Sequence, residues 1–260
     1  MTELSVDFNC DLGESFGRYK LGLDEEVIGS VSSANVACGF HASDPTVMAK
    51  TVALAKAAGA SVGAHPGFPD LQGFGRRNMS VPNDELEALV LYQLGALDAF
   101  CKAEGVKLAH VKPHGAMYNM AVKDRAMSDA ICRAVKKFDG GLILLAPGGS
   151  QLQAAANAAG LPFACEVFAD RAYQEDGTLV PRSLPGAMIE DEDEAISRVI
   201  RMVKEGVVTC INGSEIKVQA DSVCVHGDGA KALAFVQKIR AALLAEGISV
   251  KSLPEILKNK

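Results

Sequence analysis

No apolar run in this 260-residue chain approaches the ~20 residues needed to span a bilayer. Its start, Met1-Thr2-Glu3-Leu4-Ser5, has no basic region and no apolar stretch behind it, so it does not read as a secretory signal. No two cysteines are spaced C-x-x-C, and their number, 7, is odd. A chain of this size has no need of disulfide staples, and a reduced, cytoplasmic protein is the economical reading. Positive charge is in deficit: 26 Lys+Arg against 32 Asp+Glu leave a net charge of −6. A phosphate backbone would repel that average charge, so neither nucleic acid nor membrane is expected as a partner. Neither G-x-x-x-x-G-K-[ST] nor G-x-G-x-x-G occurs, and there is no H-E-x-x-H, so standard nucleotide loops and local metal signatures are missing as well. No linker, repeat or shift of composition divides the chain, which predicts a single domain over 1–260.

What is present is an ordinary globular composition, 48% hydrophobic and 22% charged. Short apolar runs at 4–10, 33–38, 60–64, 107–112, 141–146, 163–168 and 221–226 read as strands, with a further apolar run at 207–211. Helical patterns lie between them, at about 44–58, 83–104, 124–138, 150–159, 190–205 and 229–246. Asp44-Pro45 supplies a cap and a first-turn proline. Gly59, Gly105, Gly160 and Gly247 stand where helices should stop. Strict alternation implies a parallel sheet. Seven or eight such repeats of strand and helix over this length fit a closed, TIM-like β/α barrel, with an open doubly wound sheet as the competing architecture.

Side chains alternate across a strand with period two. Asp7, Asn9 and Asp11 share one face of the first strand, opposite Val6, Phe8 and Cys10. His110 and Lys112 oppose Ala109 and Val111, and Asn35 shares parity with His41. Strands buried on both faces of a dry parallel sheet should be almost wholly apolar. Leu142-Ile143-Leu144-Leu145 looks like that; the others face a polar interior, whose groups must satisfy one another, a metal, water or a ligand.

Titratable residues also cluster just after the strands: Asp11 and Glu14, His41, His65, Lys112 and His114, Asp170 and Arg171, His226 and Asp228. In a parallel β/α fold these strand ends lie on one side, so distant residues converge there. Paired carboxylates such as Asp11 and Glu14 hold a divalent cation or divide acid and base roles, against the blander reading of a loop cap. The histidines serve as ligands or acid/base groups, or as hydrogen-bonded structural residues; Asp11, His65 and His226 are the candidate metal ligands. Lys112 and Arg171 suit an oxyanion or carboxylate, or pair structurally with Asp11, Glu166 or Asp170. Cys38 near His41 invites a nucleophile reading, although a tight turn explains a small residue equally well. The turns Ala146-Pro147-Gly148-Gly149-Ser150 and Gly227-Asp228-Gly229-Ala230-Lys231 are the two places where backbone amides could take a phosphate, although a tight βα turn explains either glycine group.

Six stretches carry a further signal: DFNCDLGESFG (7–17), ANVACGFHASDP (34–45), GAHPGFPDLQGFGRR (63–77), VKPHGAMYN (111–119), EVFADRAYQEDGTLVPRS (166–183) and VCVHGD (223–228). In this order, and over most of the chain, they resemble the LamB/YcsF family, the family of the 5-oxoprolinase A subunits. The resemblance implies a distorted barrel similar to the glycoside hydrolase and deacetylase barrels. It implies ATP-dependent opening of 5-oxoproline to glutamate in company with subunits B and C, with ATP as co-substrate and a divalent ion, either magnesium with the nucleotide or an ion in the site. The catalytic set would be Asp11, Glu14, His41, His65, Lys112, His114, His226 and Asp228; Asn9, Asn35, Glu166, Asp170 and Arg171 would hold substrate. Two other functions fit the residues: a metal-dependent amide or sugar deacetylase, and a non-catalytic subunit that presents substrate.

Overall fold

In the computed structural model, residues 4–225 and 232–258 are described. The chain runs through β1 (Ser5–Leu12), α1 (Asp24–Val27), β2 (Ser33–Ala37), α2 (Pro45–Ala58), β3 (Ser61–His65), α3 (Asn83–Glu104) and β4 (Leu108–Val111). It continues with α4 (Gly115–Ala121), α5 (Arg125–Phe138), β5 (Ile143–Ala146), α6 (Gln151–Ala159), β6 (Phe163–Phe168) and α7 (Glu192–Lys204). The last elements are β7 (Val207–Thr209), β8 (Glu215–Lys217), β9 (Ser222–Val225), α8 (Ala232–Ala245), β10 (Ser249–Val250) and α9 (Leu253–Lys258).

Seven strands pair in the order β1-β2-β3-β4-β5-β6-β9, all parallel, and β9 returns to β1. The sheet therefore closes, which selects the TIM-like barrel over the open doubly wound alternative. β10 pairs with the first residues of β1. The apolar run at 207–211 is not a barrel strand: it opens the antiparallel β7–β8 hairpin after α7.

Local chemistry explains the helices. The Asp44 carboxylate accepts from the amides of Thr46 and Val47, and α2 ends at Gly59 with φ +71°. On α5, Met127, Ala130, Ile131, Ala134 and Val135 repeat at helical spacing and are all buried. The outward faces of the strands (Phe8, Val36, Val62, Val111, Leu144, Val167, Val223) join the helices in the main apolar core. Inside the ring, Ile143, Leu145 and Ala164 make a separate small cluster with Leu253 of α9. The Leu253 amide reaches Ser33 Oγ at 3.4 Å, so α9 lies at the end of the barrel where the strands begin. The rest of the interior is mostly polar, with Phe168 and Cys224 of β6 and β9 as its apolar exceptions.

Candidate active site

β1 sends Asp7, Asn9 and Asp11 into the barrel at successive levels. At the lowest level Asp7 is fully buried and accepts from Ser32 Oγ at 2.7 Å, Ser33 Oγ at 2.6 Å and Ser222 Oγ. Burial outweighs those hydrogen bonds and raises its carboxyl from 3.8 to about 6. One level up, Asn9 Nδ2 donates to Ser222 Oγ at 2.6 Å. Asn35 Nδ2 donates both to Asn9 Oδ1 at 2.7 Å and to Asp11 Oδ1 at 2.9 Å.

Lys112 crosses this interior just beyond β4. Its Nζ lies 2.9 Å from Asp11 Oδ1, 2.7 Å from Glu166 Oε1 and 3.2 Å from Cys224 Sγ. Burial works against the ammonium, but Asp11, the Cys224 sulfur and Glu166 overcome it and hold Lys112 well above its ordinary value. Tyr118 of α4 donates to Glu166 Oε2 at 2.7 Å. Burial first, and the Glu166 charge second, raise that phenol well above its usual range.

Three histidines gather beside Asp11. His65 Nδ1 donates to the Lys112 carbonyl at 2.8 Å, and His114 Nε2 donates to the Phe74 carbonyl at 2.8 Å. Phe74 holds φ at +54°, an uncommon value for a residue with a side chain, and this strained turn presents the acceptor to His114. With those protons placed, His65 Nε2 and His114 Nδ1 face each other as lone pairs 2.9 Å apart, and Asp11 Oδ2 stands 3.3 Å from His65 Nε2. Glu14 Oε1 is 3.6 Å from His114 Nδ1 and 3.3 Å from His41 Nε2. Burial lowers His114 to about 3, helped by His65, and lowers His41 well below its ordinary value, so protons are a poor remedy for this crowding. A divalent cation is the group that such converging lone pairs fit. Glu14, His41, His65 and His114 offer ligand atoms all within 4.8 Å of one another. Gly67 and Gly75 make room: a Cβ at Gly67 would stand 2.6 Å from His41 Nδ1, and one at Gly75 2.6 Å from His41 Cβ.

Above this floor lies a cavity of about 620 Å³, walled by Asp11, His65, Lys112, His114 and Tyr118 and rimmed by Arg76, Arg171 and Arg182. The rim is cationic on a chain whose net charge is −6. Arg171 also ties down the segment after β6, donating to the carbonyls of Val180 at 2.6 Å and Ala187 at 3.4 Å. Burial, then Arg182, lowers its guanidinium to about 10, still charged at neutral pH.

The strand-end residues therefore converge: Asp11, Glu14, His41, His65, Lys112 and His114 form one contiguous site. Asn9, Asn35 and Glu166 stand beneath the cavity wall and reach it through Asp11 and Lys112. Asp170 is buried at the end of β6, and the segment it begins folds back through its carbonyl to the Ile189 amide. His226 and Asp228 lie outside the described residues. Cys38 is no nucleophile: its Sγ donates to the Val36 carbonyl at 3.2 Å, and burial pushes the thiol up to about 12. In the turn at 146–150, the Gly149 amide is taken by Gln153 Oε1 and Ser150 caps α6. Tyr118 escaped the sequence reading because it sits on a helix rather than a strand end. Arg76 escaped because it sits in a long loop after β3.

Residues 6–258 match the model of the LamB/YcsF family. The 5-oxoprolinase A subunit of Clostridium beijerinckii is 62% identical over 251 residues, covering 96% of this chain and 98% of that protein. The crystal structure of the lactam utilization protein from Thermus thermophilus superposes with a TM-score of 0.91 at 49% identity, covering 95% of this chain and 99% of that one. A family 4 carbohydrate esterase from Streptomyces lividans shares the fold alone, with a TM-score of 0.52 at 13% identity, covering 95% of this chain and 91% of that one.

Proposed function

The chain belongs to the LamB/YcsF family, and from that premise we propose that it is the ring-opening component of an ATP-driven 5-oxoprolinase, a cytoplasmic hydrolase that works with subunits B and C. The observation that carries the reading is the Asp11–Lys112 pair on the floor of a cavity whose rim is cationic. 5-Oxoproline is a small carboxylate with a five-membered lactam. The lactam is a resonance-stabilised amide with a poor leaving nitrogen. Phosphorylating its oxygen makes the ring carbon electrophilic, which is a physical reason to couple the step to ATP. No standard nucleotide loop occurs here, so in this reading ATP and its magnesium meet either a partner subunit or a site of another design on this chain.

In this reading Arg171 pairs with the substrate carboxylate at the rim. Asp11 takes the proton of an attacking water, whose oxygen bonds to the ring carbon. Lys112 faces the phosphorylated oxygen and offsets its negative charge as the tetrahedral carbon forms. The ring C–N bond then breaks as His226 protonates the leaving nitrogen, the proton of His114 being held on the Phe74 carbonyl. A second water releases phosphate from the resulting acyl phosphate, so that 5-oxoproline, ATP and two waters give glutamate, ADP and phosphate. Glu14, His41, His65 and His114 would hold a divalent ion, which supplies Lewis acidity toward a carbonyl or phosphoryl oxygen.

The same cluster, on a barrel shared with carbohydrate esterases, supports the metal-dependent deacetylase as a second reading. One assay separates them: glutamate release from 5-oxoproline with and without ATP and with and without the partner subunits, alongside metal analysis. Release that needs this chain, its partners and ATP is the expected result. ATP-independent cleavage of simple acetamides by the chain alone would establish the deacetylase. Full turnover of 5-oxoproline by the partners without this chain would reject the ring-opening reading.

A further inference from the structure

Strand register places four residues in one row across the barrel: Asp11 of β1, Asn35 of β2, Gly63 of β3 and His110 of β4 are successive cross-strand partners. His110 lies two strands from Asn35, roughly 9–10 Å apart at the backbone. It nevertheless bonds to Asn35, with Nε2 2.7 Å from Oδ1. It does so by lying across Gly63: a Cβ there would stand 2.0 Å from His110 Nε2 and 2.2 Å from Cδ2. The missing side chain at position 63 is what lets an imidazole span a strand.

We propose that His110 is a positioning residue for ring opening, holding the Asn35 amide in the one orientation that donates to Asp11. The side-chain oxygen of Asn35 accepts, so Nε2 of His110 carries the proton. Both amide protons of Asn35 are then committed, one to Asn9 Oδ1 at 2.7 Å and one to Asp11 Oδ1 at 2.9 Å. Turned over, the amide would set its oxygen against those two oxygens and its protons against a donor. His110 thus fixes which atom of Asn35 meets Asp11. Asn35 in turn fixes Oδ1, and leaves Oδ2 toward His65 at 3.3 Å. The other ring nitrogen of His110, Nδ1, is buried with no hydrogen-bond partner among the described residues. An unsatisfied buried nitrogen is destabilising, so packing alone would favour an apolar side chain in this place. The donor at Nε2 is what the imidazole contributes.

The positioning role rests on the reading of Asp11 as the hydrolytic carboxylate, and the test separates the two. In the assembled complex, His110→Leu should lower kcat on the order of 10–100-fold with KM within about twofold. His110→Met fills the same space and replaces it should His110→Leu fail to assemble. His110→Gln places an amide donor at the position of Nε2 and should stay within about threefold of the parent. Asn35→Leu combined with His110→Leu should be no slower than Asn35→Leu alone, because both act through one contact. Parent-like kcat in His110→Leu, equal losses in His110→Leu and His110→Gln, or additive losses in the double variant would each overturn the positioning role. Asp11→Asn completes the set: if it lowers turnover at least about 10²-fold while His110→Leu keeps a parent-like kcat, only the positioning role falls. If Asp11→Asn turns over normally, the reading of Asp11 falls and takes the positioning role with it.

Discussion

Asp7→Asn should change how stability depends on pH more than it changes stability at any one pH. Asp7 is sealed beneath the site under three serine hydroxyls, and burial raises its carboxyl from 3.8 to about 6. The folded protein therefore holds a proton there that the unfolded chain has released between those two values. Stability falls with pH wherever the native state binds more protons than the unfolded state. The contribution is fully present below about pH 4 and is lost as pH rises through about 6. A gap of about two between folded and unfolded pKa corresponds to about 3 kcal/mol, at roughly 1.36 kcal/mol for each tenfold change in proton affinity. Asparagine has no such proton. Its amide adds donors that the serines meet by rotating their hydroxyls, a change of about 1 kcal/mol that does not vary with pH. Urea melts of both proteins at pH 4 and pH 7 should thus show the variant gaining about 2 kcal/mol relative to the parent, less than the full gap because the unfolded carboxyl is already about half ionised at pH 4. That corresponds to a relative rise in Tm of about 4–8 °C. The histidines and surface acids titrate alike in both and cancel in the difference. Parallel stability curves across pH 4–7 would refute the claim that Asp7 is held protonated by burial.

Gly63→Ala should cost about 2–5 kcal/mol, combining overpacking with loss of the His110–Asn35 bond, because its Cβ would stand 2.0 Å from His110 Nε2; a urea midpoint like the parent's would refute the close approach. Arg171→Ala should raise KM for 5-oxoproline about 10–100-fold and speed proteolysis within 171–190, since the guanidinium serves the cavity and ties down the segment; an unchanged KM would remove it from carboxylate binding. Cys38→Ala should leave kcat within about twofold, since the buried thiol lies near 12; a large loss would reopen the nucleophile reading. Equilibrium dialysis of the purified chain against zinc should show tight binding that His114→Ala weakens at least about tenfold, and equal binding by both would reject the Glu14–His41–His65–His114 site.

The barrel was legible because its strands and helices differ in period and its glycines stop helices where the pattern ends. The strand at 33–38 became β2 (Ser33–Ala37), and the helix at 83–104 matches α3 (Asn83–Glu104). The short elements were not legible. α4 (Gly115–Ala121) is seven residues long and starts on a glycine with φ +55°, so no periodicity announces it, yet it carries Tyr118 to Glu166. The convergence of Asp11, His65 and Lys112 followed from strand-end position alone. Which nitrogen of each histidine carries the proton did not, because carbonyls decide it: Lys112 for His65 and Phe74 for His114. His110 was visible as an inward-facing histidine. Its partner was not, because reaching Asn35 depends on a register that places Gly63 between them.

Ring opening in the proposed reaction occurs at the mouth of this barrel and not on a partner subunit. The most direct measurement is glutamate release by the assembled complex when this chain carries Asp11→Asn, an isosteric change that keeps the Asn35 and Lys112 contacts within reach. The expected result is a loss of at least about 10²-fold, the scale of general-base catalysis, with assembly and Tm retained. Turnover within about twofold of the parent complex would place the chemistry elsewhere.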